Sequence, residues 1–170
     1  MNIVGWSKVT EFSVGGLMWV GFSKRQPHRL LCISSQYTSL VDCNTGDIAE
    51  CDAEYDEECY AARTSCLPDE VVDIYGIYGG SPLLHTNAGE EISITKQEER
   101  FGNKTVIRVK VIFHTQDGAI EIYNDYGFYT CSFSADGNYF GLTSDAGMIV
   151  LKRNEVGVFG PSGNRQLGAS

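Results

Sequence analysis

The chain has 170 residues, 22 acidic side chains against 13 basic ones, and a formal net charge of −9. That length predicts one domain with a proper core, and the acidic balance argues against a nucleic-acid binder, which needs a basic face for phosphates. No run approaches the roughly 20 apolar residues of a membrane helix, and the N-terminus lacks a signal-peptide pattern. We therefore expect a cytoplasmic protein that does not contact a membrane.

The cysteines are expected to be free thiols, because the cytoplasm is a reducing compartment. There are six: Cys32, Cys43, Cys51, Cys59, Cys66 and Cys131. No Cys-x-x-Cys sequence occurs, which argues against a zinc knuckle or a thioredoxin-like site. The near-regular spacing of the second to fifth cysteines matches no ligand geometry, and we interpret it as coincidence.

In chain order, residues 1–12 are predicted to be an entry strand or a loop. Three apolar runs follow, reading GLMWVGFS, LLCISS and YTSLVD, and each is rich in the large apolar and β-branched residues that favour strands. The Asn-Thr-Gly-Asp sequence at 44–47 is turn chemistry and leads to a fourth strand. We interpret residues 14–50 as one antiparallel unit.

The middle of the chain is less regular. Residues 54–63 are predicted as at most one short helix, although their apolar period is poor. Short strands are predicted around 71–80, at 82–86 and at 91–96, separated by glycine-containing turns.

A clear hairpin is predicted from Thr105 to Tyr123, with its turn at Gln116-Asp117-Gly118. Alternation places one set of side chains on a single face of its first strand. This set comprises Ile107, Val109, Val111 and Phe113.

The last stretch, from Phe128 to Arg153, predicts three antiparallel strands with turns at 135–138 and 145–147. Its core side chains are expected to be Phe133, Tyr139, Leu142, Ile149 and Leu151. Residues 127–160 therefore form a second unit like the first, and residues 161–170 are predicted to be a flexible tail.

Together these elements predict an all-β domain over residues 1–160, with ten to twelve short antiparallel strands. Its meanders are expected to form either a sandwich or a partial, unclosed β-propeller-like arrangement. A closed propeller needs at least four blades of about 40 residues each, which exceeds what the two clear units supply.

The second unit carries Ser132-Phe133-Ser134, then Asp136-Gly137, and later Asp145-Ala146-Gly147. This pattern resembles a WD40-type propeller blade. The Trp-Asp pair that ends many such blades is absent, and Leu151-Lys152 stands in its place.

The likeness extends over most of residues 16–153 through turn glycines and apolar spacing, including Val72–Gly80, Leu83–Thr86, Gly89 and Ile92. Over this span the chain resembles small bacterial cytosolic proteins that have one or two WD40-like blade motifs and no assigned catalysis. Such proteins are found beside polymorphic toxins as immunity proteins, so the resemblance implies a fold and, by association, a role in toxin inhibition.

We expect no catalytic residues, no cofactor and no metal site. The three histidines, His28, His85 and His114, have no partner at metal-ligand spacing. Neither a G-x-S-x-G nor a phosphate-cradling loop occurs. The loop that starts at Asp42 is not an EF-hand, because its glycine is at the fifth position and Ala53 occupies the twelfth.

The acidic middle, residues 42–95, is the one functional signal, with 13 carboxylates and a single basic residue, Arg63. One interpretation is a solvated segment that keeps strand edges from pairing. The other is an electronegative surface that binds a basic partner. Tyrosine is a common interface anchor, and the tyrosines here are Tyr55, Tyr60, Tyr75 and Tyr78.

The hypothesis is therefore an immunity protein, monomeric when free, that occludes the active site or substrate groove of a cognate bacterial toxin domain. The toxin would be basic, such as a nuclease or deaminase. The predicted partner-binding residues are Asp47, Glu50, Asp52, Glu54, Tyr55, Asp56, Glu57 and Glu58. The alternative is a non-catalytic, WD40-like adaptor or scaffold that binds a host protein or self-associates.

Overall fold

The computed structural model describes residues 2–155. Within that range it contains fifteen β-strands and no helix, and thus none long and apolar enough to cross a membrane. The strands are β1 (Trp6–Phe12), β2 (Leu17–Phe22), β3 (Arg29–Ser34), β4 (Thr38–Asp42), β5 (Ile48–Cys51), β6 (Glu54–Asp56), β7 (Ala61–Arg63), β8 (Val72–Asp73), β9 (Tyr75–Gly76), β10 (Glu91–Phe101), β11 (Lys104–Thr115), β12 (Gly118–Asp125), β13 (Phe128–Phe133), β14 (Tyr139–Ser144) and β15 (Gly147–Arg153).

These strands form four antiparallel sheets, which confirms the all-β prediction. The terminal sheet has the order β1-β15-β14-β13, and the five-stranded sheet has the order β5-β4-β3-β2-β9. The short-stranded sheet is β6-β7-β8, and the long-stranded sheet is β10-β11-β12. The two units predicted from the sequence lie in the five-stranded and terminal sheets.

The terminal sheet is completed by the first strand of the chain. β1 pairs with β15, so that Trp6 lies opposite Arg153 and Phe12 lies opposite Met148. The predicted entry segment is thus a strand, and it supplies the fourth strand of a sheet whose other three strands come from residues 128–153.

Three core clusters join the sheets in series. One, with Trp6, Phe113 and Phe133, lies between the long-stranded and terminal sheets. The next lies between the terminal and five-stranded sheets, and the third, around Trp19 and Leu67, lies between the five-stranded and short-stranded sheets. In residues 2–155 no core cluster joins the short-stranded sheet to the long-stranded one, so the series is open, as predicted.

Phe113 is the aromatic centre of the first cluster. Its side chain is 0% exposed, and its ring centroid lies 5.3 Å from Trp6, 5.5 Å from Phe133 and 5.4 Å from Phe140. All three pairs are edge-on, the geometry that the charge distribution of aromatic rings favours.

A partly buried ion pair joins the end of β15 to the segment before β10. Arg153 Nη2 donates to Glu90 Oε1 at 2.8 Å, and the Thr86 hydroxyl donates to the same carboxylate. The guanidinium lies 4.8 Å from the centroid of the Trp6 ring. The hydrogen bond from Arg153 is the main reason why the pKa of Glu90 falls from 4.5 to about 2.

Some element predictions were wrong. Residues 54–63 form the hairpin β6–β7 rather than a short helix, because Asp56 caps the turn and Tyr60 takes a left-handed φ of 51°. Residues 82–86 form only the isolated bridge between His85 and Glu91. The strand count is fifteen rather than ten to twelve.

Other outcomes concern the long-stranded sheet and the tail. Of the four side chains predicted to share one face of the strand, Val109, Val111 and Phe113 are buried, whereas Ile107 is 49% exposed. It is exposed because β12 pairs with β11 only from Val109 onward, so the hairpin β10–β11 extends beyond the third strand.

The predicted tail, residues 161–170, lies outside the described residues.

Replacing Phe113 by alanine is expected to lower the free energy of unfolding by about 3–5 kcal/mol, the usual cost of removing a buried aromatic ring. Urea denaturation measures this loss. The matched control is Phe101→Ala in the same sheet, because Phe101 is 59% exposed, and its loss should stay below about 1 kcal/mol. Equal losses in the two variants would contradict the assigned core.

The Glu90–Arg153 pair predicts an acid-sensitive component of stability. Because folding depresses the pKa of Glu90, the pair stabilises above the ordinary value of 4.5, and this is lost as pH falls toward about 2. Glu90→Gln should therefore cost about 2–3 kcal/mol at pH 7 and progressively less below pH 4.5.

Denaturant unfolding at a series of pH values measures this difference. The exposed neighbour Glu91 provides the control, and Glu91→Gln should leave the wild-type pH profile unchanged. A cost for Glu90→Gln that stays constant down to acid pH would show that the ion pair does not stabilise the fold.

Candidate partner-docking face

The predicted partner-binding residues lie on two consecutive edge strands, in the turns before and after these strands, and in the connection between them. β5 is an edge of the five-stranded sheet, β6 is an edge of the short-stranded sheet, and Asp52-Ala53 joins the two. All eight predicted side chains are exposed: Asp47, Glu50, Asp52, Glu54, Tyr55, Asp56, Glu57 and Glu58. We call residues 47–60 together with Tyr78 the docking face.

Two carboxylates of this face also hold its backbone. Asp52 Oδ1 accepts hydrogen bonds from the Ser65 amide at 3.2 Å and from the Ser65 hydroxyl, which ties β5 to the connection after β7. Asp56 Oδ1 accepts from the amides of Glu58 at 2.8 Å and Cys59 at 3.3 Å. These hydrogen bonds lower the pKa of both carboxyl groups, so both remain charged.

Four other carboxylates of the docking face do not hold the backbone in this way. Their side chains are exposed and take part in no ion pair or side-chain hydrogen bond within residues 2–155. The set comprises Asp47, Glu50, Glu54 and Glu58. Their full charge is therefore available to a partner.

The acidic middle is not a single surface. Glu70 is buried, 8% exposed, and accepts from the Ser23 hydroxyl at 2.8 Å and the Lys24 amide at 2.7 Å. Asp73 pairs with Lys24 at 2.7 Å, and Glu90 pairs with Arg153. The charges of Glu70, Asp73 and Glu90 are thus used within the fold, so these three carboxylates are not part of the candidate face.

An aromatic group adjoins these carboxylates. Trp19 is 1% exposed, and its ring centroid lies 5.8 Å from Tyr60 and 6.1 Å from Tyr78. The Trp19 indole NH donates to Glu57 Oε1 at 3.4 Å. The exposed fractions of Tyr60 and Tyr78 are 38% and 68%. Tryptophan thus supports two tyrosines and one glutamate that face the solvent.

Glycine is required where the two tyrosines approach each other. Gly79 has a φ of +138°, and a Cβ built there would lie 2.6 Å from the Tyr60 hydroxyl. A side chain at this position would displace Tyr60, so the sequence Tyr78-Gly79 brings the two rings onto Trp19. Of the four tyrosines predicted as anchors, Tyr75 alone is buried, at 6% exposure.

A groove runs beside the hairpin β6–β7. Its volume is about 420 Å³, and its lining includes Tyr55, Ala61, Ala62 and Val71 as apolar surface with Glu54, Asp56 and Arg63 as charged groups. The groove thus combines apolar surface with two carboxylates and one guanidinium.

Charge is segregated over the molecule. The segment from Asp47 to Arg63 has seven carboxylates and one guanidinium. In contrast, the hairpin β10–β11 with its turn has five basic residues against three carboxylates. The basic residues are Lys96, Arg100, Lys104, Arg108 and Lys110, and the carboxylates are Glu91, Glu98 and Glu99. The docking face is therefore a local concentration of negative charge, beyond what the overall composition requires.

Sequence reasoning missed one polar pair. His114 Nε2 and Ser93 Oγ lie 2.8 Å apart across the strands β10 and β11, a contact that depends on strand register.

In the described part of the chain, no group of three or more histidine, cysteine, aspartate or glutamate side chains is placed to hold a metal ion.

Comparison of the chain with protein-family models, with curated proteins and with solved structures finds no match in any of the three.

The hydrogen bonds predict that acidic residues of the docking face differ in structural importance. Asp56→Ala removes the acceptor for two amides and should lower the melting temperature and speed hydrogen exchange at the turn after β6. Glu58→Ala changes the same net charge in the same turn and should leave both unchanged. Circular dichroism and hydrogen-exchange mass spectrometry measure these effects, and identical behaviour of the two variants would refute the distinction.

Proposed function

We propose that the chain is an immunity protein that acts in the cytoplasm, without catalysis, by binding the basic groove of a toxin domain. The toxin would be a nuclease or deaminase, whose substrate carries phosphates. The observation that supports this proposal is the docking face, in which exposed carboxylates outside any described ion pair and exposed tyrosines lie in the same segment of the chain. This arrangement offers a basic protein both charge complementarity and apolar contact.

The unpaired carboxylates favour rapid and selective association. A nucleic-acid-processing enzyme presents lysine and arginine to phosphate. Asp47, Glu50, Glu54 and Glu58 offer such a groove a row of anions that are not already neutralised by neighbouring cations. Complementary fields of this kind raise the association rate and reject partners of the wrong charge.

The exposed tyrosines add apolar contact area to the electrostatic attraction of the carboxylates. Tyr55 is 40% exposed and Tyr78 is 68% exposed, and tyrosine is enriched among residues that dominate binding energy. Tyr60 and Tyr78 each contact the buried Trp19 ring. A side chain that is already held by a contact in the free protein loses less freedom on binding, which favours affinity.

Protection of strand edges is the competing interpretation of the same charges, since charged residues on β5 and β6 also discourage edge-to-edge pairing. However, Glu57 and Glu58 lie in the turn after β6, on neither edge strand. Edge protection also gives no reason for exposed tyrosines, which would promote association. These two features favour a docking function.

The test replaces Glu50, Glu54 and Glu58 by lysine in one variant. Asp52 and Asp56 are spared because they hold the backbone. We expect binding to the toxin encoded beside this chain to weaken at least about tenfold, mainly through slower association, and to lose most of its salt dependence. Surface plasmon resonance at several salt concentrations measures both.

The matched control reverses the exposed residues Glu91, Glu98 and Asp117 of the long-stranded sheet and its turn, which changes the net charge equally. This control should bind like the wild type. The proposal fails if the two variants bind alike, or if the neighbouring gene product does not bind at all.

The second candidate is a self-associating scaffold, favoured by the segregation of charge. The basic hairpin of one copy is complementary to the acidic docking face of another. Light scattering separates the two candidates, because an immunity protein should be a monomer when free, whereas a scaffold should give oligomers that dissociate in high salt. Oligomers would favour the scaffold over the immunity protein.

A further inference from the structure

A cavity of about 380 Å³ lies between the terminal and long-stranded sheets, beside the ends of β1 and β14. Leu142 and Ile149, which are paired across β14 and β15, line the cavity and belong to the core cluster that joins these two sheets. Tyr123 of β12 lines it from the long-stranded sheet. The cavity is therefore a part of this interface that side chains leave unfilled, and its volume suits a small organic ligand.

Strand pairing fixes the rim of the cavity. Phe12 lies opposite Met148 in the pairing of β1 with β15, and Ser144 lies opposite Gly147 across the turn from β14 to β15. A Cβ built at Gly147 would overlap the Phe12 carbonyl oxygen, so glycine is required for this close approach. The cavity thus belongs to the folded chain itself and needs no rearrangement to form.

The polar side chains of the lining carry oxygen and no nitrogen. They are Glu11, Ser13, Tyr123 and Ser144. The Tyr123 hydroxyl donates to the Tyr126 carbonyl, and Ser144 Oγ accepts from the Ala146 amide at 3.2 Å. Each of these two hydroxyl oxygens retains a lone pair that can accept a further hydrogen bond. Since the described lining includes no lysine, arginine or histidine, it suits a ligand that is rich in donors.

Glu11 supplies the negative charge of the lining. Its carboxylate pairs with Lys8 Nζ at 2.8 Å, and the side chains of both residues are 55% exposed. Exposed ion pairs of this kind contribute little to stability, so a ligand cation can replace Lys8 as the partner of Glu11 at small cost. A cationic group of a ligand is thus favoured at this end of the cavity.

We propose that this cavity binds a primary amine with a compact apolar body, such as an arylalkylamine. The ammonium group donates to the Glu11 carboxylate and to hydroxyl oxygens of the lining, which uses its three N–H donors. The apolar body lies against Phe12, Leu142 and Ile149 and is removed from water there. An anionic ligand of the same shape is disfavoured because Glu11 would repel it.

The cavity lies apart from the docking face. Its lining comes from the terminal and long-stranded sheets and from the segment after β1, whereas the docking face lies on the five-stranded and short-stranded sheets and at Tyr78. The inference therefore does not rest on the proposed function, and either can fail without the other.

The first experiment titrates the full chain at pH 7 with three probes of similar shape: 2-phenylethylamine, 2-phenylethanol and 3-phenylpropanoate. Isothermal titration calorimetry should give saturable binding of the amine with a Kd below about 1 mM. The alcohol should bind at least about tenfold more weakly, because it lacks the charge, and the carboxylate should not bind. Equal affinities for the amine and the alcohol would overturn the proposal, as would the absence of saturable amine binding.

Two variants locate the site. Glu11→Gln should weaken amine binding at least about tenfold, and Ala146→Leu, which enlarges an exposed residue of the rim, should weaken it by obstructing the cavity. The matched control Glu91→Gln changes an exposed carboxylate outside the cavity and should bind the amine like the wild type. Circular dichroism should show the same fold in all three variants. Amine binding that survives in both Glu11→Gln and Ala146→Leu would overturn the proposal.

Nuclear magnetic resonance of the wild-type chain provides a readout that needs no substitution. The amine should shift the amide signals of residues 11–13 and 144–149, and the weaker alcohol should shift the same signals at higher concentration. Shifts confined to residues 47–60 would place the amine on the acidic docking face and would overturn the assignment of the cavity.

Discussion

The pairing of β1 with β15 is the contact on which the rest of the structure depends. It joins the two ends of the described chain and completes the terminal sheet, with Trp6 opposite Arg153. That sheet packs on the long-stranded sheet through one face and on the five-stranded sheet through the other. The five-stranded sheet in turn holds the short-stranded sheet around Trp19. The position of the docking face is therefore secured through three successive interfaces.

The docking face combines structural and available charges. Asp52 and Asp56 fix the backbone that presents it, whereas Glu50, Glu54 and Glu58 are exposed and take no part in the ion pairs described. Tyr60 and Tyr78 contact the buried Trp19 ring, whereas Tyr55 lies on the edge strand β6. The exposed aromatic rings and the exposed carboxylates are thus held by the same part of the fold.

Local chemistry made much of the fold predictable. Turn residues and apolar runs identified β2–β5 and β13–β15, because each hairpin is specified within a few residues. The pairing of β1 with β15 has no local signal, since its partners lie at opposite ends of the chain. The hairpin β6–β7 was missed because its turn depends on Asp56 and on the left-handed Tyr60. The sequence also shows where carboxylates are concentrated, but the partners of Glu70 and Glu90, which place these two inside the fold, are distant in the chain.

Hydrogen-exchange mass spectrometry of the chain, alone and with the proposed basic toxin domain, tests the central claim most directly, because it locates a binding surface without a substitution. The account predicts slower exchange on binding in residues 47–60 and around Tyr78, with no change in the hairpin β10–β11. Slower exchange confined to the hairpin β10–β11, with residues 47–60 unchanged, would contradict it.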